Sequence, residues 1–469
     1  MPAPAELLSY IDAHTDAFIA RLAEAVAIPS ISGDPAFRPS VLKMSEWLDA
    51  QLQAVGVTTK RVDLGTHLMD GQTLPLPNAI LGRIGTDPAK KTVLLYGHFD
   101  VQPAALSDGW DSEPFKLTEL PDGRLVGRGS SDDKGPWHHE HKKELPVNLV
   151  MCFEGMEENG SEGLDALVER ERDGWFKDVD CVCISDNYWL NTRTPALTYG
   201  LRGLVYFKLT ISGPARDLHS GVFGRTVHEP MTDLIALMGR LVDPAGNILV
   251  PGVDDMVSAA DLEERAIYEK LDYSIADVES AAGAAIALSD DKTQVLMGRM
   301  RLPSLSLHGI EGAFAGPGAK TVIPAKVGGK FSIRLVPPQT PDAVEPLVVS
   351  YLESEFAKLG SKNRMELELL HSGKPWVADW KHWNYAAAIK ATEAIYNKTP
   401  DLTREGGSIP VTLTFAEQLG VNVLLLPMGR GDDGAHSTNE KLDKSNFIEG
   451  TKLLGTYLYE IGAVTEVGK

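Results

Sequence analysis

The chain has 469 residues, of which 43% are hydrophobic and 23% charged, and its formal net charge is −20. This length exceeds what one ordinary core accommodates, so two domains are expected. The acidic balance argues against a nucleic-acid or anionic-membrane partner, because both need a basic face. No apolar stretch reaches the roughly 18 residues that span a bilayer, and we expect a cytoplasmic protein.

The first predicted elements are two amphipathic helices between residues 4 and 56, separated by the segment 29–34. The opening helix carries acids and lacks the basic stretch of a secretory signal, so no targeting segment is predicted. Two strand-like neighbours, 79–84 and 92–96, follow across a Gly-Thr-Asp-Pro turn. Helices and strands then alternate to about residue 200, which is typical of an α/β unit.

Four apolar runs predict buried strands, and each delivers a possible metal ligand at or beyond its carboxyl end. Open α/β sheets bind ligands outside these ends, so one metal site assembled from distant parts of the chain is predicted. The three cysteines lie inside the runs without a C-x-x-C pair and are expected to be core residues in a reducing compartment. The runs and the residues they deliver are 92–96 with His98 and Asp100, 147–153 with Glu157 and Glu158, 179–185 with Asp186, and 421–427 with His436.

The pattern changes near residue 203, where strands and acidic helices begin that continue to about residue 373. We predict an α+β insert over 203–373, after which the α/β pattern resumes. The expected fold class is therefore α/β, with a mixed, mostly parallel sheet flanked by helices. Residues 1–202 and 374–469 would form this discontinuous domain, and the insert would interrupt it.

The loop 127–135 is rich in glycine and carries Asp132 and Asp133 side by side. Adjacent carboxylates repel each other unless a cation lies between them, and one carboxylate can bridge two metals. Asp100 could accept the second ring N–H of His98 and so orient it. Of the neighbours Glu157 and Glu158, one can ligate metal while the other serves as general base.

The candidate ligands are two histidines and three carboxylates without a thiolate, a set that suits two Zn²⁺ or Mn²⁺ ions sharing one carboxylate. Two metals a few ångströms apart favour hydrolysis. Three further acids near the second run, Glu154, Glu162 and Asp165, are expected to be surface charges. The candidate ligands are His98, Asp132, Glu158, Asp186 and His436.

The predicted insert has candidates of its own. Arg334 lies within a predicted strand, where an unpaired arginine is a poor core residue. It could bind a substrate carboxylate through two hydrogen bonds, and His219 could donate to a tetrahedral oxyanion. A salt bridge at the surface and a histidine satisfied by local partners are the structural alternatives.

Several segments together resemble the M20 family of metallopeptidases, and the resemblance runs nearly from end to end. It implies a dinuclear dipeptidase acting on short unblocked dipeptides such as Cys-Gly. The matching segments are 96–105, 127–136, 154–158, 184–189, 217–221, 303–309 and 404–410.

By this resemblance, Asp132 bridges the metals, His98 and Asp186 complete one site, and Glu158 and His436 complete the other. Glu157 is the implied general base, with Asp100 behind His98. The insert is similar to a lid and dimerisation domain, so a homodimer is implied. The substrate's carboxylate and oxyanion would be bound by Arg334, Thr321, Ser408 and the His219 of the other subunit.

One segment departs from the family. Where its members have an amphipathic helix, residues 137–146 are shorter by roughly nine residues, about 14 Å of helix. Only Trp137 and Leu145 are apolar there, so no buried stripe can form, and the three histidines fit a charged, exposed linker. Two alternatives to an active dipeptidase stay open: an N-acyl-amino-acid amidohydrolase of the same superfamily, and a homologue that is inactive because of this shortened segment.

Overall fold

The structure is a computed structural model that describes residues 3–135, 145–407 and 409–465. The α-helices of the described residues are α1 (Ala5–Ala13), α2 (Thr15–Val26), α3 (Arg38–Ala54), α4 (Leu164–Glu171), α5 (Ser220–Phe223), α6 (Pro230–Met238), α7 (Leu262–Lys270), α8 (Ile275–Ala282), α9 (Lys292–Met300), α10 (Pro341–Leu359), α11 (Trp383–Tyr396), α12 (Pro410–Leu419) and α13 (Lys444–Gly462). Among these described residues, no helix combines the length and the apolar character that crossing a membrane requires.

The strands follow the same numbering along the chain. They are β1 (Thr58–Val62), β2 (Thr66–Met69), β3 (Gln72–Pro75), β4 (Ala79–Ile84), β5 (Thr92–His98), β6 (Thr118–Glu119), β7 (Arg124–Val126), β8 (Asn148–Glu154), β9 (Cys181–Ile184), β10 (Ala196–Leu201), β11 (Gly203–Ser212), β12 (Leu218–His219), β13 (Ser304–Glu311), β14 (Val322–Ile323), β15 (Lys326–Leu335), β16 (Arg364–Gly373), β17 (Trp376–Val377), β18 (Asp401–Glu405), β19 (Asn422–Leu425) and β20 (Lys441–Asp443).

The large sheet has nine strands in the order β1-β4-β8-β5-β9-β19-β10-β17, and β18 pairs with β10. Its central strands β8, β5, β9 and β19 are parallel, whereas β1 and β4 at one side and β17 at the other pair antiparallel. The predicted α/β class with a mixed sheet is confirmed. The strands β4 and β5 are neighbours along the chain but not in the sheet, because β8 pairs with both.

Burial on both faces explains why the central strands have continuous apolar runs. In β8, Leu149 and Met151 pack into the core beneath α3, α11 and α13, while Val150 and Cys152 pack into the core beneath α4 and α12. Successive side chains of a strand alternate between its faces, so both layers are filled from one segment. All three cysteines are buried and unpaired, as the sequence predicts for core residues.

A second sheet of four antiparallel strands has the order β13-β15-β11-β16, with α6 and α10 packed on it. The chain leaves the large sheet after β10 ends at Leu201 and re-enters it at β17, which begins at Trp376. These changes of sheet lie close to the predicted insert boundaries of 203 and 373. The division into two domains remains a prediction that the sheet topology supports.

The prediction of a single helix before residue 29 is wrong, because the chain forms α1 and α2 there. The backbone leaves the helical region at His14, with φ −112° and ψ 15°, and the Nδ1 atom lies 2.8 Å from the Tyr10 carbonyl oxygen. The break lets Leu7 of α1 and Phe18 of α2 reach the same core cluster. A continuous apolar periodicity does not reveal such a change of helix direction.

Replacing Phe331 by alanine should lower the free energy of unfolding by about 3–5 kcal/mol, because the cavity it leaves is lined by rigid elements. The side chain is fully buried and stacks on Phe207 with ring centroids 5.2 Å apart. Phe314→Ala is the matched control, since this phenylalanine is 46% exposed and should cost within about 0.5 kcal/mol. Denaturant unfolding of both variants measures the difference, and equal losses would contradict the packing assignment.

Candidate active site

The candidate ligands meet at one edge of the large sheet. The parallel strands β8, β5, β9 and β19 are adjacent, so their carboxyl ends lie side by side. His98 is the last residue of β5, Asp186 follows β9 by two residues, Glu158 follows β8, and His436 lies in the loop after β19. Residues far apart in sequence are therefore brought together by strand pairing, as the four apolar runs predict.

Asp132 lies at the centre of these residues. Its Oδ1 is 3.1 Å from Nε2 of His98, and its Oδ2 is 3.1 Å from Nε2 of His436. Asp186 approaches the first histidine at 3.4 Å, and Glu158 approaches the second at 3.0 Å. Two groups of three ligand atoms result, each within 4.8 Å of one another, and they share Asp132.

The electrostatics of the site call for positive charge. Burial raises the pKa of Asp186 to about 7, and burial together with neighbouring carboxylates raises the pKa of Glu157 well above its usual value. Burial alone would lower the pKa of His98, but the surrounding carboxylates outweigh it and raise it, while hydrogen bonds to carboxylates raise the pKa of His436 to about 10. These raised pKa values mean that the site holds protons readily when no cation is bound. Two divalent cations would supply the same positive charge, so the residues fit a dinuclear centre.

Asp100 organises the ligands from behind. It is fully buried, and its carboxylate accepts the backbone N–H groups of Glu157 at 3.2 Å and Glu158 at 3.1 Å. The backbone carbonyl oxygen of Asp100 lies 3.1 Å from Nδ1 of His98. When Nδ1 donates to this oxygen, Nε2 presents its lone pair to a cation.

Several residues around the site were missed by sequence reasoning. The hydroxyl of Ser32 donates to Asp100 at 2.6 Å and accepts from the Asn159 amide at 2.6 Å. The amide of Gln102 donates to Glu158 Oε2 at 2.8 Å. Each is an ordinary loop residue in sequence, and only the pairing of distant segments gives it a role.

The prediction that Glu154 is a surface charge is wrong. It is the last residue of the fully buried strand β8, and its Oε1 accepts the hydroxyl of Tyr96 at 2.7 Å. Burial raises the pKa of this carboxyl to about 7. Glu162 and Asp165, which were predicted to be surface charges as well, are exposed.

A third group of acids in the described residues is formed by Asp432, Asp433 and Asp443. The ammonium of Lys441 lies between them, at 2.7, 2.6 and 2.6 Å from one oxygen of each. The protein therefore supplies its own cation at this position. The group fixes the base of the loop that carries His436.

Among the described residues, no hydrogen bond or ion pair joins the insert residues predicted to bind substrate to this cluster. His219 and Thr321 meet on an exposed ribbon of β12 and β14, where the N–H of Ser220 donates to the carbonyl oxygen of Thr321 at 3.2 Å. Arg334 is half-buried in β15, burial lowers its pKa, and no hydrogen-bond acceptor or ion-pair partner reaches it within the described part of the chain. Ser408 lies outside the described residues, as does most of the shortened segment 137–146.

Two groups of histidine and carboxylate side chains that share one aspartate, at the carboxyl edge of a mixed sheet, form a candidate metal centre of the kind that metallohydrolases use. The sequence matches the profile of peptidase family M20/M25/M40 over residues 94–460. The chain belongs to this family, and the predicted class of metallopeptidase is confirmed.

Several relatives match over nearly the whole length of both chains. The chain is 54% identical to the Cys-Gly metallodipeptidase dug1 of Schizosaccharomyces pombe, with 98% of each chain covered. It is 44% identical to the Beta-Ala-His dipeptidase of Homo sapiens, with 98% of this chain and 94% of the relative covered. The solved structure of the di-peptidase Dug1p from Saccharomyces cerevisiae matches with a TM-score of 0.89 and 49% identity, covering 98% of each chain.

Proposed function

We propose that this chain is a metal-dependent dipeptidase that hydrolyses short unblocked dipeptides, with Cys-Gly as the first candidate substrate. The observation that carries the proposal is the position of Asp132, whose two oxygens each lie 3.1 Å from a different histidine. The name of the Schizosaccharomyces pombe relative, Cys-Gly metallodipeptidase, supports the choice of substrate.

The residues would hold two divalent ions. His98, Asp132 and Asp186 would bind one, and the other would be bound by Asp132, Glu158 and His436. Nitrogen and oxygen donors without a thiolate favour Zn²⁺ or Mn²⁺. When bound, the ions would polarise the scissile carbonyl and lower the pKa of the attacking water.

Glu157 is the proposed general base. Its backbone N–H is held by Asp100 at 3.2 Å, which keeps it beside the ligand Glu158. Burial raises the pKa of the Glu157 carboxyl, and a carboxylate with a raised pKa accepts a proton more readily. It takes the proton of the attacking water and delivers it to the nitrogen of the departing amino acid.

Arg334 is the proposed partner of the substrate carboxylate, because its half-buried guanidinium offers a two-pronged donor with no partner among the described residues. Thr321 and Ser408 would assist it. We further propose a homodimer in which His219 acts in the site of the other subunit, with the insert closing over substrate. The three unpaired, buried cysteines support a reducing, cytoplasmic location.

Hydrolysis of Cys-Gly by the purified chain tests the proposal, first in the presence of a chelator and then with added Mn²⁺ or Zn²⁺. The expected result is release of both amino acids only when metal is restored. Acetylated Cys-Gly is the discriminating substrate, because an N-acyl-amino-acid amidohydrolase would prefer it. A folded chain that binds metal and cleaves neither substrate would support the inactive homologue and would point to the segment 137–146.

Replacing Arg334 by methionine should lower kcat/KM for Cys-Gly by roughly 30-fold or more, because the substrate carboxylate loses a charged hydrogen-bonding partner worth about 2 kcal/mol at least. The comparison substrate is Cys-Gly with its terminal carboxylate converted to an amide. Hydrolysis of this substrate should change little, because it has no carboxylate for Arg334 to bind. The ratio of the two kcat/KM values is the measurement. An equal loss on both substrates would contradict carboxylate binding by Arg334.

A further inference from the structure

Glu440 is the last residue of the loop that carries His436, and its fully buried side chain lies against the loop that carries Asp132. Its Oε1 accepts the backbone N–H groups of Ser131 at 3.0 Å and Asp132 at 3.1 Å, and also the Ser131 hydroxyl at 3.1 Å. Its Oε2 accepts the N–H of Gly129 at 3.0 Å. This carboxylate therefore fixes the backbone of the loop from which Asp132 projects.

Arg128 completes the connection. Its guanidinium is buried over the ring of Trp110, at 5.2 Å from the ring centroid, and donates to Glu440 Oε2 at 2.9 Å. It also donates to the carbonyl oxygen of Ser437, the residue after His436, at 3.2 Å. One ion pair thus contacts both loops next to their ligands.

The loop of His436 needs such an external support. His436 has a φ of +59°, a left-handed conformation that a side chain with a Cβ rarely adopts. Its base is fixed where Lys441 pairs with Val126 between β20 and β7. Between that base and His436, the described contacts that reach the Asp132 loop are those of Glu440 and Arg128.

We infer that Glu440 and Arg128 are positioning residues that set the separation of Asp132 and His436, and thereby the affinity for the ion that these two residues bind with Glu158. The inference rests on the proposed dinuclear function. We call the ion bound with Glu158 the second ion, and the ion of His98, Asp132 and Asp186 the first ion. The first ion depends less on the pair of Glu440 and Arg128, because His98 and Asp186 lie at strand ends. Residues that orient metal ligands typically change metal affinity when they are replaced.

Glutamine cannot replace Glu440 in this position. Both carboxylate oxygens accept backbone N–H groups, so the –NH₂ group of an amide would face other donors in either orientation. Glu440→Gln keeps the size of the side chain and removes only this pattern of acceptors. Arg128→Met keeps the three backbone contacts of Glu440 and removes the link to Ser437.

The test measures metal binding rather than activity alone. Each protein is stripped of metal and dialysed against a series of free Mn²⁺ concentrations, and the bound ions per chain are counted by mass spectrometry of the metal. The unmodified chain should bind two ions. In Glu440→Gln, the Mn²⁺ concentration at which half of the chains hold the second ion should rise roughly 10- to 100-fold, with a smaller rise for the first ion. Arg128→Met should also raise the Mn²⁺ concentration needed to bind the second ion.

The matched control is Glu355→Gln in α10. Glu355 is also a buried glutamate paired with an arginine, since Arg240 donates to it at 2.5 Å. This variant should lose thermal stability while both metal affinities stay unchanged. Activity of Glu440→Gln should return at saturating Mn²⁺, which a damaged fold would not allow.

Three results would overturn the inference: unchanged affinity for the second ion in folded Glu440→Gln, equal shifts of both ions, or unfolding of both site variants at a Mn²⁺ concentration that keeps the unmodified chain folded. If the unmodified chain itself binds fewer than two ions, the proposed dinuclear function fails first. The two failures are therefore distinguished before any variant is made.

Discussion

Replacing Glu157 by glutamine should lower kcat for Cys-Gly hydrolysis by about 10²- to 10⁴-fold, while two ions remain bound to each chain. The amide keeps the shape of the side chain but cannot take a proton from the attacking water. Glu157 is outside both groups of ligand atoms that surround Asp132, so its loss should leave them in place. Steady-state kinetics and metal counting on the same sample give both quantities.

The neighbouring glutamates provide the controls. Glu158→Gln removes a group whose oxygen lies 3.0 Å from His436, so this variant should lose an ion as well as activity. Glu162→Gln changes a side chain that is 54% exposed and should affect neither. If Glu157→Gln instead loses both ions, the division of roles between Glu157 and Glu158 is wrong.

The sequence predicts this site through the four ligands that each follow their own apolar run, whereas Asp132 is predicted from its glycine-rich, doubly acidic loop. His98 and Asp186 are found because an apolar run ends just before each of them, and runs of that kind are buried strands in parallel sheets. The order of those strands in the sheet is a different matter. It depends on pairing between segments far apart in the chain, such as β9 with β19, which no local pattern specifies.

The errors have the same physical origin. Glu154 looks like a surface acid because acids are seldom buried without a partner, yet Tyr96 of the adjacent strand provides that partner. Glu440 and Arg128 are separated by most of the chain and meet only after the sheet has formed. Local sequence therefore indicates which residues can ligate metal, but not which residues hold those ligands at the correct separation.

Two inactive variants should restore activity when they share one dimer. His219 lies on an exposed ribbon of the insert, and within the described residues it contacts none of the candidate ligands. Its Nδ1 accepts the N–H of Gly221 at 3.0 Å, so Nε2 carries the proton that could be donated to an oxyanion. His219→Ala alone should therefore reduce kcat strongly, by about 10²- to 10³-fold as for other oxyanion donors.

Coexpression of Glu157→Gln with His219→Ala then distinguishes the two possible arrangements. If His219 acts in the partner's site, a mixed dimer has one site with both an intact Glu157 and an intact His219. Random pairing makes about half of the dimers mixed, with one complete site in each, so about a quarter of the unmodified activity should return. If His219 acts within its own subunit, every site lacks one residue and no activity returns. Separate tags on the two variants allow the mixed dimer to be purified. Half of its sites should be active if His219 acts in the partner's site. The kcat of the purified mixed dimer therefore reports directly on which subunit supplies the histidine.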